Sequence, residues 1–335
     1  MLSDKIFKTI NEFKLLNKRD RVIVALSGGP DSVALLHILK NISKKLNLDI
    51  YAAHLNHMLR GSESDDDLRF VKSLCEKLKV PFFSENFDLK KYAKASMEEA
   101  ARKARFDFLF RAAELAGASK IALGHTKDDQ AETVLLRILR GSGLYGLAAI
   151  LPKRKIKKYT LIRPLLNSTK DEILLYLKTR NYKYRIDSSN KKDIYTRNRI
   201  RKYLLPQLKK YNKNILNILA NTAQTAGMDY DYIKNQAAEE LNKIKSASSK
   251  SRISLKAAKL NGLHGALRRM AIRLSIESVA GNLRRFTYKH IQEIEDLLDC
   301  RKTGSIVDLP RNISVKKTSS FINIYKRRIP PKKLD

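Results

Sequence analysis

Cysteine is nearly missing from this 335-residue chain, which holds two, Cys75 and Cys300. Two thiols so far apart cannot build the dense framework of a small secreted domain, so a disulfide scaffold is excluded and a reducing compartment is indicated. Long apolar runs are also missing. None approaches the roughly 18 residues that cross a bilayer, and Met1 to Lys8 mix charge with apolar residues instead of forming a secretory leader. These absences predict a cytoplasmic protein with no membrane partner. Acidic residues are scarce relative to basic ones, 34 Asp and Glu against 68 Lys and Arg, leaving a formal charge of +34.

That excess is uneven. Residues 1–150 hold 25 basic and 19 acidic side chains, whereas residues 151–335 hold 43 and 15. Such asymmetry is the footprint of a polyanionic partner, nucleic acid or an acidic membrane surface; surface decoration by a lysine-rich proteome would have affected both halves. With 43% hydrophobic and 30% charged residues the chain has enough apolar surface to fold, and at about 150 residues per domain its length suggests two domains.

The runs Arg21–Leu26, Asp49–His54, Pro81–Phe83 and Lys120–Gly124 read as short buried strands. Helical periodicity lies between them, at about 33–46, 63–79, 96–116 and 129–140. Strand alternating with helix predicts an α/β fold with a parallel sheet and ligands outside the carboxyl ends of the strands. A further strand follows at Thr160–Leu166, with a helix opening at Ser168. Beyond Pro206 the pattern is mainly helical, with an exposed loop at Lys245–Ser251 and short strands at Gly304–Leu309 and Phe321–Tyr325. The expected domains are a nucleotide-binding catalytic domain over 1–211 and a smaller, mainly helical, basic domain over 212–335 that binds the nucleic acid.

Between the first strand and its helix stands Ser27-Gly28-Gly29-Pro30-Asp31-Ser32. Two glycines let the backbone approach a phosphate, and the helix that follows aims its free N–H groups at the anion. Ser27 and Ser32 add hydroxyls. No Gly-Lys-Ser/Thr ending is present, so this is not a Walker loop.

This segment resembles the PP-loop of the N-type ATP pyrophosphatases, which activate a substrate by adenylation. The resemblance implies that Ser27, Gly28, Gly29, Pro30, Asp31 and Ser32 hold ATP phosphates, with Asp31 beside Mg²⁺. Four more motifs follow in order: His54-Leu55-Asn56-His57-Met58-Leu59-Arg60-Gly61, Ser96-Met97-Glu98-Glu99-Ala100-Ala101-Arg102, His125 to Thr133 with Arg140-Gly141-Ser142, and Arg197-Asn198-Arg199-Ile200-Arg201. Together they resemble the short form of the tRNA(Ile)-lysidine synthases. Longer members carry an extra C-terminal domain for which this chain has no room.

The family likeness implies ATP-dependent attachment of free lysine to the wobble cytidine of the CAU-anticodon isoleucine tRNA, through an adenylated intermediate. A homodimer is left open. His54 and Asn56 are expected at the nucleotide, and Arg105 at the lysine or the adenylate. Asp129 and Glu132, three apart at a helix start, fall on one face and suit a cationic amino acid, although acidic residues there also cap the helix dipole. A nucleophilic ammonium with a pKa near 10.4 must be held and then deprotonated, and carboxylates can do both. Arg197, Asn198 and Arg201 are the candidate tRNA contacts, with Tyr195 and Tyr203 nearby for stacking. His54, His57 and His125 lack the spacing of a zinc site. Two rivals remain: a PP-loop tRNA thiolase, for which no Cys-Xaa-Xaa-Cys exists, and a non-catalytic tRNA-binding protein.

Overall fold

The structure, a computed structural model, describes residues 1–56, 58, 62–89, 97–186 and 196–327. His57, Arg60, Ser96, Tyr195 and Arg328 lie outside the described residues. Along the chain run α1 (Leu2–Glu12), β1 (Arg21–Ala25), α2 (Pro30–Leu46), β2 (Asp49–Asn56), α3 (Ser62–Leu78), β3 (Phe82–Asn86), α4 (Met97–Leu115) and β4 (Lys120–Ala122). Next come α5 (Lys127–Ile138), α6 (Leu144–Leu147), β5 (Lys153–Ile156), β6 (Tyr159–Ile162), α7 (Lys170–Thr179), α8 (Thr196–Arg199), a π-helical turn (Ile200–Leu204) and α9 (Leu205–Tyr211). The long α10 (Ile215–Ile244) leads to β7 (Lys245–Ser248), β8 (Arg252–Lys256), α11 (Ala257–Asn261), α12 (Gly265–Ala280), α13 (Tyr288–Asp299), β9 (Ile306–Leu309), β10 (Ile313–Lys317) and β11 (Phe321–Lys326).

The chain divides into two compact units, Met1–Gly227 and Met228–Asp335. The break expected near residue 212 coincides with the gap between α9 and α10; the units part later, inside α10. In the first unit a six-stranded sheet runs β3-β2-β1-β4-β6-β5. Its pairings are parallel except at the edge, where β5 lies antiparallel to β6. Alternation along β1 sorts the core, as expected for side chains that point to opposite faces in turn. Val22 and Val24 enter a cluster with α1, α2 and α7, and Ile23 enters another with Phe108, Leu109 and Ala113 of α4.

The chain moves outward from β1 through β2 to β3, then returns to β4 on the other side of β1. That reversal opens a crevice outside the carboxyl ends of β1 and β4, where open α/β sheets bind ligands. The two motifs richest in chemistry, residues 27–32 and 125–132, follow those two strands.

The second unit is a five-stranded antiparallel sheet, order β7-β8-β11-β10-β9. Ile253, Leu255, Val315, Ile322 and Ile324 form a core with residues of α12 and α13. Helix still exceeds strand here, and β8 and β10 add to the two strands anticipated from sequence. The segment read as a loop at 245–251 is instead strand β7 over its first four residues, paired with β8. All four are exposed, so an edge strand carries the same polar, small-residue composition as a loop. Among the described residues no helix is long and apolar enough to cross a membrane.

Candidate active site

The PP-loop begins where β1 ends. Gly28 has φ +86°, a left-handed conformation that a side chain would strain, and Pro30 opens α2 with Gly29 as its cap, a placement suited to the ring's fixed φ. The loop knits itself together. Ser32 donates its hydroxyl to Gly29 O at 3.0 Å and accepts the Ser27 N–H at 3.1 Å, so the 3.1 Å contact between the hydroxyls is a donation from Ser27. Ser32 therefore shapes the loop, leaving the backbone amides at the start of α2 as anion donors. Gly124 presses on the same turn: a Cβ there would sit 3.3 Å from both Asp31 C and Ser32 N. The ends of β1 and β4 are thus held close enough to share one crevice.

That crevice is a cleft of about 460 Å³, within the roughly 300–1,000 Å³ range of small-molecule sites. Ser27, Asp31, His54, Asn56, Arg105 and His125 line it together, and Ala25, Leu26, Leu55, Phe106 and Leu123 give it an apolar wall. Burial pushes the Asp31 carboxyl up to about 6, against the charge of nearby Lys170 and with reinforcement from Asp129 and Asp128. Burial lowers His54 as well. The ring's Nδ1 lies 2.9 Å from Leu26 O; as a neutral imidazole it donates there, fixing the end of β1. Asn56 accepts the Met58 N–H at 2.9 Å and donates to Asp65 at 3.3 Å. Both residues therefore line the cleft and also brace it.

His125 sits at the junction of the cleft and the carboxylates. Burial first, and the charge of Arg163 second, bring it down to about 4, so its ring is neutral near pH 7. Its Nδ1 is buried with no hydrogen-bond partner. Arg105 opens toward the cleft from α4 and lies 5.7 Å from the Phe106 ring centroid.

The two acidic residues of α5 do come together, but each already holds cations. Asp129 closes a capping box, its Oδ2 accepting the Thr126 N–H at 2.9 Å and the Thr126 hydroxyl at 3.0 Å. Its Oδ1 accepts from Arg197 at 3.0 Å. Glu132, with no exposed surface, accepts from Arg197 Nε at 2.8 Å and from Arg201 Nε and Nη2 at 2.5 and 3.0 Å. Burial opposes charge on Asp129, yet Lys170 and Arg197 overcome it and hold the carboxyl below its ordinary range. Two motifs 65 residues apart in sequence are thus one ion cluster. Ala131, Val134 and Leu135 of α5 pack on Ile200 and Leu205, which seats the arginine segment on the helix that carries the acids. Asn198 is in the same segment.

The PP-loop domain family matches residues 2–208. The tRNA(Ile)-lysidine synthase of Clostridioides difficile (strain 630) is 38% identical over 327 residues, which make up 96% of this chain and 70% of that protein. The tRNA(Ile)-lysidine synthase of Caldanaerobacter subterraneus subsp. tengcongensis is 35% identical over 335 residues, 98% of this chain and 70% of that protein. This chain belongs to the tRNA(Ile)-lysidine synthase family. Among solved structures, the U34-tRNA thiolase NcsA from Methanococcus maripaludis, determined with its 4Fe–4S cluster, superposes with a TM-score of 0.56 at 19% identity. That match covers 67% of this chain and 78% of the thiolase, and it shows a shared fold.

Two features of this lysidine synthase family member escape a reading of its sequence. Arg185 donates its backbone N–H to Gly28 O at 2.9 Å and its Nε to Asp67, which lines the cleft, at 3.1 Å; nothing local marks either residue. In the second unit, Arg268 and Arg269 are engaged within the unit: Arg269 donates to Glu295 at 2.9 and 3.0 Å, and Arg268 to Asp299 at 3.2 Å. Arg327 likewise pairs with Asp308 at 3.0 Å. Part of the basic excess is therefore structural.

Proposed function

We propose that the chain joins the ε-amine of free lysine to carbon 2 of the wobble cytidine in the CAU-anticodon isoleucine tRNA, consuming ATP and releasing AMP and pyrophosphate. The observation that carries this reading is the cleft at the ends of adjacent strands, in which an anion-binding loop meets Asp31, Arg105 and His125, with the α5 carboxylate Glu132 lining a second, smaller cavity beside Lys170 and Arg201, in a chain of this family. ATP lies with its base along the apolar wall and its triphosphate at the PP-loop, where the α2 amides and dipole stabilise negative charge. The cytosine carbonyl oxygen attacks the α-phosphate, the bond to pyrophosphate breaks, and the ε-amine then displaces AMP from carbon 2. Arg105, which lines the cleft, is the proposed group that steadies charge on the adenylate.

The carboxylate at the loop, Asp31, fits Mg²⁺. It is an oxygen ligand whose burial disfavours an unpaired charge, of the kind that holds this ion together with phosphates. When bound, the ion would screen charge on the departing pyrophosphate. Asp129 and Glu132 are the proposed holders of the lysine ammonium.

Sulfur transfer is disfavoured by the cysteine content, which offers no Cys-Xaa-Xaa-Cys pair and only one thiol, Cys75, in the unit that holds the cleft. Burial, with Glu76 adding, pushes buried Cys75 up to about 12, which leaves it protonated and unreactive near pH 7. The deciding experiment incubates tRNA with the protein, ATP and lysine and analyses the nucleosides by mass. Cytidine should gain lysine less water; gain of sulfur, or no change while the protein binds tRNA, would overturn the proposal.

A further inference from the structure

One stretch of the first unit carries no negative charge. Residues 133–170 contain nine basic and no acidic side chains, and the seven basic ones between 137 and 158 are all exposed. Among the described residues only Lys158 of these seven is in an ion pair, with Glu114 at 2.6 Å. Set into this cationic surface is apolar material: Ile138, Leu139, Leu144 and Tyr145 are between 40% and 64% exposed. The turn joining them is tight. Gly141 has φ +68°, the Ser142 N–H donates back to Arg137 O at 3.1 Å, and a Cβ on Gly146 would collide with the Ser142 side chain. The start of α6 is thereby folded against the end of α5, and the four apolar side chains make one ridge rimmed by cations, the pattern of an interaction surface.

The ridge is fixed to the cleft at both ends. Helix α5 starts just after His125, and its apolar face packs on Ile200, Leu205 and Leu219 rather than on the sheet. Its 12 residues carry the chain about 18 Å. The chain then returns: Gln130 Oε1 accepts the Ile150 N–H at 2.8 Å, and the buried Arg163 donates from Nη1 to Leu151 O at 2.6 Å. Strand β5 enters the sheet with Lys153 opposite Ile162, at the carboxyl end of β6. A surface held in this way keeps one geometry relative to the cleft, as an element that presents a reactive base must.

Charge and apolarity together select the occupant. A duplex offers phosphates but hides the faces of its bases, whereas an unpaired RNA segment offers both, and bases stack on exposed aromatic side chains beside a basic track. We infer that Leu139, Leu144 and Tyr145 form a stacking ridge for unpaired nucleotides flanking the reactive cytidine, with Arg137 and Arg140 at their phosphates. The inference rests on the reading of RNA as the substrate. It adds that the chain reads an open loop, by the faces of its bases and with little regard to their identity.

The test is fluorescence anisotropy with the full chain and two labelled RNAs, a hairpin whose loop carries the CAU anticodon and the same stem as a blunt duplex. Tyr145→Ala, a change at an exposed position, should weaken hairpin binding roughly fivefold or more while duplex binding and the salt slope stay as they are. Tyr145→Phe should bind the hairpin as the unmodified chain does, and Leu139→Ser/Leu144→Ser should weaken it in the same direction as Tyr145→Ala. Arg137→Gln/Arg140→Gln should lower the slope of log K against log salt by roughly 0.7 for each arginine. Full hairpin affinity in both Tyr145→Ala and the leucine variant would overturn the inference. So would loss of self-association in those variants at unchanged hairpin affinity, measured by light scattering, which would make the ridge a contact between copies of the chain. If the unmodified chain bound neither the hairpin nor whole tRNA, the reading of RNA as substrate would fall, and the ridge's role with it.

Discussion

The backbone N–H of Arg185 donates to the carbonyl of Gly28 at 2.9 Å, tying the segment after α7 to the PP-loop. A second tie lies three residues earlier, where the Tyr182 ring stacks on His37 of α2 with centroids 3.6 Å apart and planes 5° from parallel. The guanidinium of Arg185 meanwhile neutralises Asp67 at the cleft edge.

Arg185→Ala leaves the backbone bond in place and exposes ATP phosphates to the Asp67 charge. The ATP KM should rise several-fold, with a small change in melting temperature because a half-exposed pair contributes about 0–1 kcal/mol. Steady-state kinetics over a range of ATP concentrations checks this; an unchanged KM would confine Arg185 to holding α3.

Asp31 gives a pH signature. Burial raises its folded pKa to about 6 from 3.8, so between these values the folded state binds more protons than the unfolded one and stability falls as pH rises. Above pH 6 the charged form is fully penalised, at a cost on the order of 3 kcal/mol. Asp31→Asn should therefore melt higher than the unmodified protein at pH 7.5 and nearly the same at pH 4, while losing pyrophosphate release. Parallel melting curves at both values would refute the assignment.

Gly124→Ala tests the approach of the two strand ends. The new methyl meets the backbone of Asp31 and Ser32 at 3.3 Å, and backbone yields less easily than a side chain. Overpacking typically costs about 1–3 kcal/mol. Melting temperature should drop and ATP binding should weaken together, because the displaced element is the loop itself.

Arg269→Ala should act on folding more than on RNA. Glu295 is 6% exposed, and removing a partner from a buried carboxylate costs about 3–5 kcal/mol when no replacement exists; Arg268, at 3.5 Å, reduces that here. Denaturant unfolding should reveal a weakened second unit while the salt dependence of tRNA binding stays the same.

That salt dependence should itself be steep. Each phosphate contact contributes roughly 0.7 to 0.9 to the slope of log K against log salt, so tRNA affinity should fall by orders of magnitude over a range in which ATP affinity changes little. Residues 151–211 alone hold 19 basic and 4 acidic side chains, and substitutions of exposed lysines there should lower the slope.

Strands β1, β2, β4 and β6 are legible in sequence because buried parallel strands are short apolar runs, β3, an edge strand with no buried residue, shows only through its two phenylalanines, and the PP-loop is legible because its residues are contiguous. The pairing of Glu132 with Arg197 is not, since a helix face records which residues point one way and says nothing of what meets them. Composition likewise hides β7, whose four exposed residues have no apolar face. The helix expected at Ser168 is capped by Thr169, whose capping box with Glu172 sets its start; one residue in register is beyond what a Ser-Thr pair can specify. Asp129 shows the two roles offered by its position at once, as a helix cap and as part of a charge cluster.

The π-helical turn at Ile200–Leu204, closed by the Leu205 N–H on Ile200 O, makes the site a matter of rotational phase. An α-helix turns about 100° per residue, whereas a π-turn, with i→i+5 bonds, turns less per residue, so the five residues here wind through about the angle that four would in an α-helix. Deleting one residue within this turn would therefore restore regular winding and leave Arg197 in nearly its present phase relative to Leu205. A deletion within α9 has no such turn to absorb it and would swing residues across the apolar seam with α5, so this stretch tolerates a change of length better at the π-turn than beside it.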